Sequence, residues 1–325
     1  MTAISRASLE DNQVAIYFAA VVAGLLATVA VPSNAWGAAV TPALAGLIYV
    51  TFLQVPLGEL RQSLANGRFL RALLVVNFVV VPCVAFALVS FLPGDQWPVR
   101  LGALLVLLAP CIDYVVVFTH LGRGDAKLVL AATPVLLLVQ MLLLPVYLGL
   151  LNGAEATVLM RPSPFLEAFV WLIAVPLFTA GATQAWAARA SAGRAVADTM
   201  AWLPVPLMAV VLFLVVAAVA PDVAAQAHAV ALVVPVYIAF ALVMPYAGRA
   251  IARLFGLETE AARAVVFSGS TRNSLVVLPL AFAVPDAGAL VPAAVVTQTL
   301  VELVAMLVYV RWVPRLVRTA APATG

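Results

Sequence analysis

Several residues capable of chemistry are set inside otherwise apolar runs. In "LLAPCIDYVVVF", Leu107 to Phe118, a proline, a thiol and an acid fall together as Pro110, Cys111 and Asp113. In "AVVFSGSTRNSLVVLPLAFAV", Ser268, Gly269, Ser270, Thr271, Arg272, Asn273 and Ser274 are consecutive. In "TQTLVELVAML", Glu302 follows Thr297, Gln298 and Thr299. The chemistry on offer is a soft sulfur ligand, a guanidinium with a carboxylate to answer it, hydroxyls and an amide that can hold oxygens, and a second carboxylate. That second carboxylate, in an apolar setting where desolvation opposes its charge, suits a group that loads and unloads a proton.

The elements that carry these residues follow from composition. The chain has 325 residues, 65% of them hydrophobic and 10% charged, with a mean hydropathy of +1.14. A soluble domain carries about a quarter charged residues, so this composition reads as a polytopic membrane protein. A spanning helix needs roughly 20 apolar residues, and ten runs meet that need, at about 14–32, 38–58, 70–92, 99–119, 128–151, 164–187, 200–220, 227–248, 263–284 and 288–311. Backbone in lipid must satisfy its own hydrogen bonds, which makes helices the default. The alternating ten-residue pattern of a membrane β-barrel is absent. The expected fold is therefore an all-α membrane protein of about ten transmembrane helices, a single transporter domain over 1–325.

Charge orients it. The net charge is +3, and the basic residues follow topology rather than any nucleic-acid surface. Of the 17 Lys and Arg residues, fourteen fall in the segments on the side of the N-terminus, Arg100 and Arg161 fall on the other side, and Arg272 lies within a span. Such a bias places both termini in the cytoplasm of a multi-pass protein of the cell membrane. The polar start, Met1 to Gln13, followed by a long apolar run, does not read as a cleavable signal.

With five spans in each half, the halves enter the membrane in opposite directions. Repeats at about 14–151 and 164–311 are expected, and span 3 ("VVNFVVVPCVAFAL") resembles span 8 ("VALVVPVYIAFAL"). Pro110 interrupts span 4, because proline lacks an N–H and clashes with the preceding turn. The polar run 268–274 interrupts span 9. Interrupted segments at matching places in inverted halves point to a transport site. Asp113, Arg272 and Glu302 each cost roughly 2.5–3.5 kcal/mol or more at a helix centre if unpaired, which predicts an Asp113–Arg272 ion pair across the crossing. Gln140 in span 5 is the uncharged counterpart of Glu302. Cys83 is expected to be packing, and His120 and His228 to lie in loops.

The ten spans, the "APC" at the span 4 interruption, the Asn-Ser of span 9 and the "LVE" of span 10 resemble the arsenite efflux permeases of the bile acid/sodium symporter superfamily. The resemblance covers nearly the whole chain through short motifs. It implies that the essential span 4 thiol is Cys111, a metalloid ligand, and that the span 10 acid is Glu302, the proton-coupling site. It implies further that the polar crossover of span 9, with Ser270, Thr271, Asn273 and Ser274, contacts substrate. The family fold would group spans 3–5 with 8–10, and spans 1–2 with 6–7. Sodium-coupled members of the superfamily carry an acid and a glutamine near the span 9 crossover. Ser268 and Arg272 stand there in this chain, and a fixed guanidinium repels a sodium ion. The expected activity is export of arsenite, or antimonite, in exchange for protons, with no cofactor.

Three rival readings stand beside it, of which a non-transporting sensor would need a cytosolic output domain that the short loops do not supply. An organic anion or bile-acid-like solute would use Arg272 as its counter-ion. An intramembrane enzyme would need an acid dyad or a Ser-His arrangement, and neither histidine falls in the interior of a predicted span, His228 standing at the very start of one. Two cysteines and two histidines also fall short of the roughly four ligands of a closed zinc site.

Overall fold

In the computed structural model the described residues are 6–30, 34–54, 66–112, 114–149, 170–171, 175–225, 227–282, 284 and 290–318. Among them the regular elements are all helical, and each of the ten apolar runs overlaps a helix. In chain order these are α1 (Arg6–Ala30), α2 (Asn34–Gln54), α3 (Gly67–Val75), a π-helical turn (Val76–Val80), α4 (Val81–Val89), α5 (Trp97–Leu107), α6 (Val115–Leu121) and α7 (Ala126–Gly149). They continue as α8 (Val175–Arg189), α9 (Ser191–Met200), α10 (Pro204–Ala225), α11 (Ala227–Ala231), α12 (Val234–Leu254), α13 (Thr259–Ser270), α14 (Ser274–Phe282) and α15 (Leu290–Leu316).

Five stretches are long and apolar enough to cross a membrane: Trp36–Gln54, Gly67–Val89, Ala126–Leu144, Ala227–Leu254 and Leu290–Leu316. The pair Ser191–Met200 and Pro204–Ala218, bent by 46°, adds a sixth if it is one span. The predicted spans 4 and 9 are each divided into two half-helices, α5 with α6 and α13 with α14. No half alone reaches the length of a span.

The chain falls into two compact units, Met1–Pro56 with Arg161–Ala227, and Leu57–Met160 with His228–Gly325. In the first, α10 packs along both α1 and α2, and α8 packs on α2. Polar ties are few. Tyr49 and Thr183 share a hydroxyl contact of 3.1 Å, and Gln184 Nε2 donates to the carbonyls of Phe52 and Leu53.

The second unit holds both divided spans. Every side chain of α5 from Leu101 to Leu107 is buried, as is α13 from Ala264 to Ser270. A helix apolar all round is one wrapped by others, and these two are the inner helices. Their neighbours α7 and α15 instead leave large apolar side chains exposed, including Leu138, Leu142, Val304 and Val308. That is the surface expected against lipid chains. Two glycines permit the closest approaches to the inner helices. A Cβ on Gly102 would lie 2.7 Å from the Val291 carbonyl of α15, and one on Gly269 would lie 2.8 Å from Val76 in the π turn.

Prolines inside helices leave carbonyls unserved, and tyrosines serve two of them. A helical N–H at position 82 would reach the Phe78 carbonyl, but proline has none. Tyr147 of α7 donates to that oxygen at 2.5 Å. Pro245 likewise strips the Ala241 carbonyl of α12, and the Tyr309 hydroxyl of α15 donates to it. The partners come from spans 3 and 5 in one case and spans 8 and 10 in the other. The sequence likeness instead aligns Pro82 with Pro235, which stands in the first turn of α12, where a missing N–H costs nothing. In its interior role, Pro82 corresponds to Pro245.

Three further expectations change. Cys83 is exposed on α4 rather than packed inside. His120 closes α6, and His228 lies in the short helix α11. The unwound stretch of span 9 is only 271–273, since Ser268, Gly269 and Ser270 stay helical. Ser268 is bonded there to Asn77 and to the Arg272 guanidinium.

Candidate functional site

Breaking a helix frees backbone groups that must find partners away from water. Here the two breaks serve each other. Cys111 N–H donates to the Thr271 carbonyl at 3.2 Å, and Asn273 N–H donates to the Ala109 carbonyl at 2.8 Å. Pro110 and Arg272 are thereby paired as an isolated antiparallel bridge. Proline suits this position because its missing N–H falls where the pairing needs no donor from it.

The side chains around the break finish the helix ends. Thr271 Oγ1 donates to the Phe267 carbonyl at 2.7 Å, closing α13. Asn273 Oδ1 accepts from the Val276 N–H at 3.0 Å, the N-cap of α14. Ser274 shares a 2.6 Å hydroxyl contact with Thr299 of α15. Three of the four span 9 residues assigned to substrate therefore have structural partners. Ser270 Oγ and Asn273 Nδ2 are buried and have no hydrogen-bond partner in the structure.

Arg272 is 0% exposed, and it leads the bulkiest fully buried side chains. Its guanidinium meets neutral oxygens: Asn77 Oδ1 at 2.8 Å, the Ser268 carbonyl at 2.6 Å and the Leu107 carbonyl at 3.3 Å. The last two belong to the C-terminal ends of α13 and α5, where helix dipoles favour a cation. Phe240 of α12 presents its ring 5.7 Å from Cζ. Asn77 sits in the π turn and donates through Nδ2 to Ser268 Oγ and to the Leu73 carbonyl, both at 3.0 Å. The wider π turn puts this amide against α13, in keeping with the frequent placement of such turns at functional sites.

Glu302 of α15 is buried and accepts from two other elements and from its own helix. Oε1 takes the Tyr114 hydroxyl at 2.6 Å. Oε2 takes the main-chain N–H of Arg272 at 2.8 Å and the side-chain amide of Gln298. The carboxylate thus ties both breaks to α15. It reaches the backbone of Arg272, while the guanidinium turns to Asn77 and the helix ends.

Cys111 is 1% exposed within the first break, and its main chain is bonded to the second. Neither cysteine forms a disulfide. Among the described residues no cluster of His, Cys, Asp or Glu could hold a metal ion. Asp113, the other half of the expected ion pair, lies outside the described residues. Gln140 is buried on α7 with neither of its polar atoms hydrogen-bonded in the structure. The structure thus brings Glu302, Arg272, Thr271 and the Cys111 backbone to one crossing.

A family model, that of the sodium bile acid symporter family, matches residues 41–226. The chain belongs to that family. Its members are membrane transporters, and this symporter-family chain is accordingly a multi-pass membrane transporter of the bile acid/sodium symporter superfamily. The matched region takes in the first break, with Cys111 and Tyr114, and ends before Arg272 and Glu302. No curated protein matches the chain.

Two partners in the symporter-family site, Tyr114 and Asn77, escaped the sequence reading, and Gln298 was noted beside Glu302 without a role. Gln298 stands four residues before Glu302, the spacing of neighbours on one helix face, and was legible on that ground. Tyr114 directly follows Asp113 but looks like one more apolar residue. Asn77 is a lone amide in an apolar run, and nothing local says which distant charge it meets. Asn77→Leu is expected to lower stability by about 1–3 kcal/mol, because it strands buried donors of Arg272. Thermal unfolding of the purified protein, with Cys83→Ser as the neutral comparison, measures it.

Proposed function

We propose that the protein is a secondary transporter with ten spans in two inverted five-span repeats. It exports arsenite, or a related trivalent metalloid such as antimonite, in exchange for protons. Both ends would lie in the cytoplasm, in keeping with the distribution of basic residues. The observation that carries the reading is the crossing itself, where the Cys111 break and the Glu302 carboxylate are tied to the same three residues, 271–273. The paired roles of Pro82 with Tyr147 and Pro245 with Tyr309 support the repeats.

Each residue has a stated task. The Cys111 thiol displaces one hydroxyl of arsenous acid, so that an As–S bond forms and water leaves. With a single thiol the complex is weak enough to reverse. Asn273 Nδ2 has hydrogen-bonding capacity left over for a metalloid hydroxyl. Glu302 takes up a proton on one side and gives it up on the other. A proton on either oxygen removes an acceptor from Tyr114, Gln298 or the Arg272 N–H, which loosens the tie between the breaks and α15. Asp113 would be the counter-charge of Arg272, and a double-mutant cycle on the two measures their coupling.

Arg272 serves as a fixed cation at the crossing and makes sodium unnecessary. Its two terminal nitrogens are engaged by protein oxygens, which weighs against its use as counter-ion for an organic anion. In proteoliposomes containing a pH-sensitive dye, an arsenite gradient is expected to drive proton movement in the opposite direction, equally in sodium and choline buffers. Absence of proton movement while arsenite crosses, or a requirement for sodium, would refute proton exchange.

A further inference from the structure

A small cavity opens between α12 and α15, walled by Tyr237, Phe240 and Ala241 on one helix and by Gln298, Val301, Glu302 and Ala305 on the other, with Leu107 and Ser270 at its base. Most of this wall is apolar, yet two polar atoms on it have no hydrogen-bond partner in the structure: Ser270 Oγ and Gln298 Oε1. Both residues are nearly fully buried, at 3% and 4% exposure. A buried hydroxyl and a buried amide oxygen left in this way are costly unless something polar meets them. Gln298 spans the gap to the acid, since its Nε2 donates to Glu302 Oε2 while its Oε1 remains available.

We propose that this cavity is the proton-exchange niche of Glu302, a binding site for water that relays protons between its mouth and the carboxylate. Ser270 and Gln298 are the positioning residues for that water. The inference rests on Glu302 as the proton site of the exchange described above. In the step itself, a hydronium in the niche gives its proton to the Glu302 carboxylate, leaving water and a neutral acid, and the reverse step discharges it.

The surroundings direct the proton to this one acceptor. Among the described residues, the other titratable groups that face Glu302 or the niche are engaged or shielded. Tyr237, on α12, donates its hydroxyl to the Ala294 carbonyl at 2.8 Å. Tyr309, on α15, donates to the Ala241 carbonyl. From the first break, Tyr114 already donates to Glu302, and Cys111 lies outside the cavity lining. From the second break, Arg272 contributes its main-chain N–H, and the Phe240 ring covers its guanidinium. The mouth is reached past Ala241, Val301 and Ala305, the partly exposed members of the lining.

The test fills the niche without removing a polar group. Ala305→Leu and Val301→Phe add bulk to its wall, and Val304→Leu adds bulk on the exposed flank of the same helix, where Val304 is 58% exposed. Full-length purified protein is given a pH jump, and the carboxyl band of Glu302, assigned by its loss in Glu302→Gln, is followed by time-resolved infrared spectroscopy. Both filling variants are expected to slow the band by roughly tenfold or more, while Val304→Leu matches wild type. If one filling variant fails to fold, the other carries the comparison. Equal rates in all variants, equal slowing in Val304→Leu, or a wild-type protein with no Glu302 band would overturn the niche. No metalloid is present, so a protein that failed to export arsenite would still give this readout.

Discussion

Glu302→Gln is expected to abolish uphill export while leaving the fold intact. Glutamine keeps an oxygen for Tyr114 or for the Arg272 N–H, so the crossing retains part of its tie. It cannot take up a proton in the working pH range, and a carrier that cannot reload cannot be driven by a proton gradient. Net export should fall by about 10²-fold or more, the low end of what a positioned proton-transfer group contributes. Its amide hydrogens would also meet donors where the carboxylate met them as acceptor, at a stability cost of about 1–3 kcal/mol. Arsenite-for-arsenite exchange at equal pH should survive better than net export. That split separates a coupling role from a merely structural one, which would reduce both together.

Cys111→Ala has an effect of similar size for a different reason. It removes the only thiol at the crossing, where the other sulfur is the Met306 thioether beside Thr271, and As–S bonding is the interaction by which a soft metalloid is distinguished from water and small alcohols. Export should drop to the background of untransformed cells. The Cys111 backbone, which holds the two breaks together, does not depend on the side chain. Stability should therefore change by only about 1 kcal/mol, the worth of one small buried group. Cys111→Ser should be equally inactive, since a hydroxyl retains the polarity but not the softness. An organic anion transporter would be nearly indifferent to either change.

Much of this arrangement was legible in the sequence, for a specific reason. In lipid, a proline or a polar run within an apolar span has few permitted outcomes, and "LAPC" and "STRN" announced helix breaks that the structure then joined through Pro110 and Arg272. Glu302 was conspicuous as a costly acid. The partners of Arg272 were not legible. A guanidinium can be satisfied by any oxygens in reach, and here two of the three are backbone carbonyls that carry no sequence signature. The third, Asn77, reaches it from a π turn, and a π turn leaves no clear trace in residue order. The extent of the span 9 break was overestimated because Ser268 and Ser270 have low helix preference. In the structure they stay helical, with Ser268 bonded to Asn77 and to Arg272. The proline alignment went astray because residue order cannot distinguish a helix-starting proline from an interior one.

The central claim is that the thiol-bearing break and the carboxylate act together to move a metalloid out of the cell. Arsenite accumulation in a sensitive, efflux-deficient host tests it most directly, with wild type measured beside Cys111→Ala and Glu302→Gln at matched expression. The prediction is low accumulation with wild type and full accumulation with either variant. Full accumulation with wild type, or low accumulation with Cys111→Ala, would contradict it.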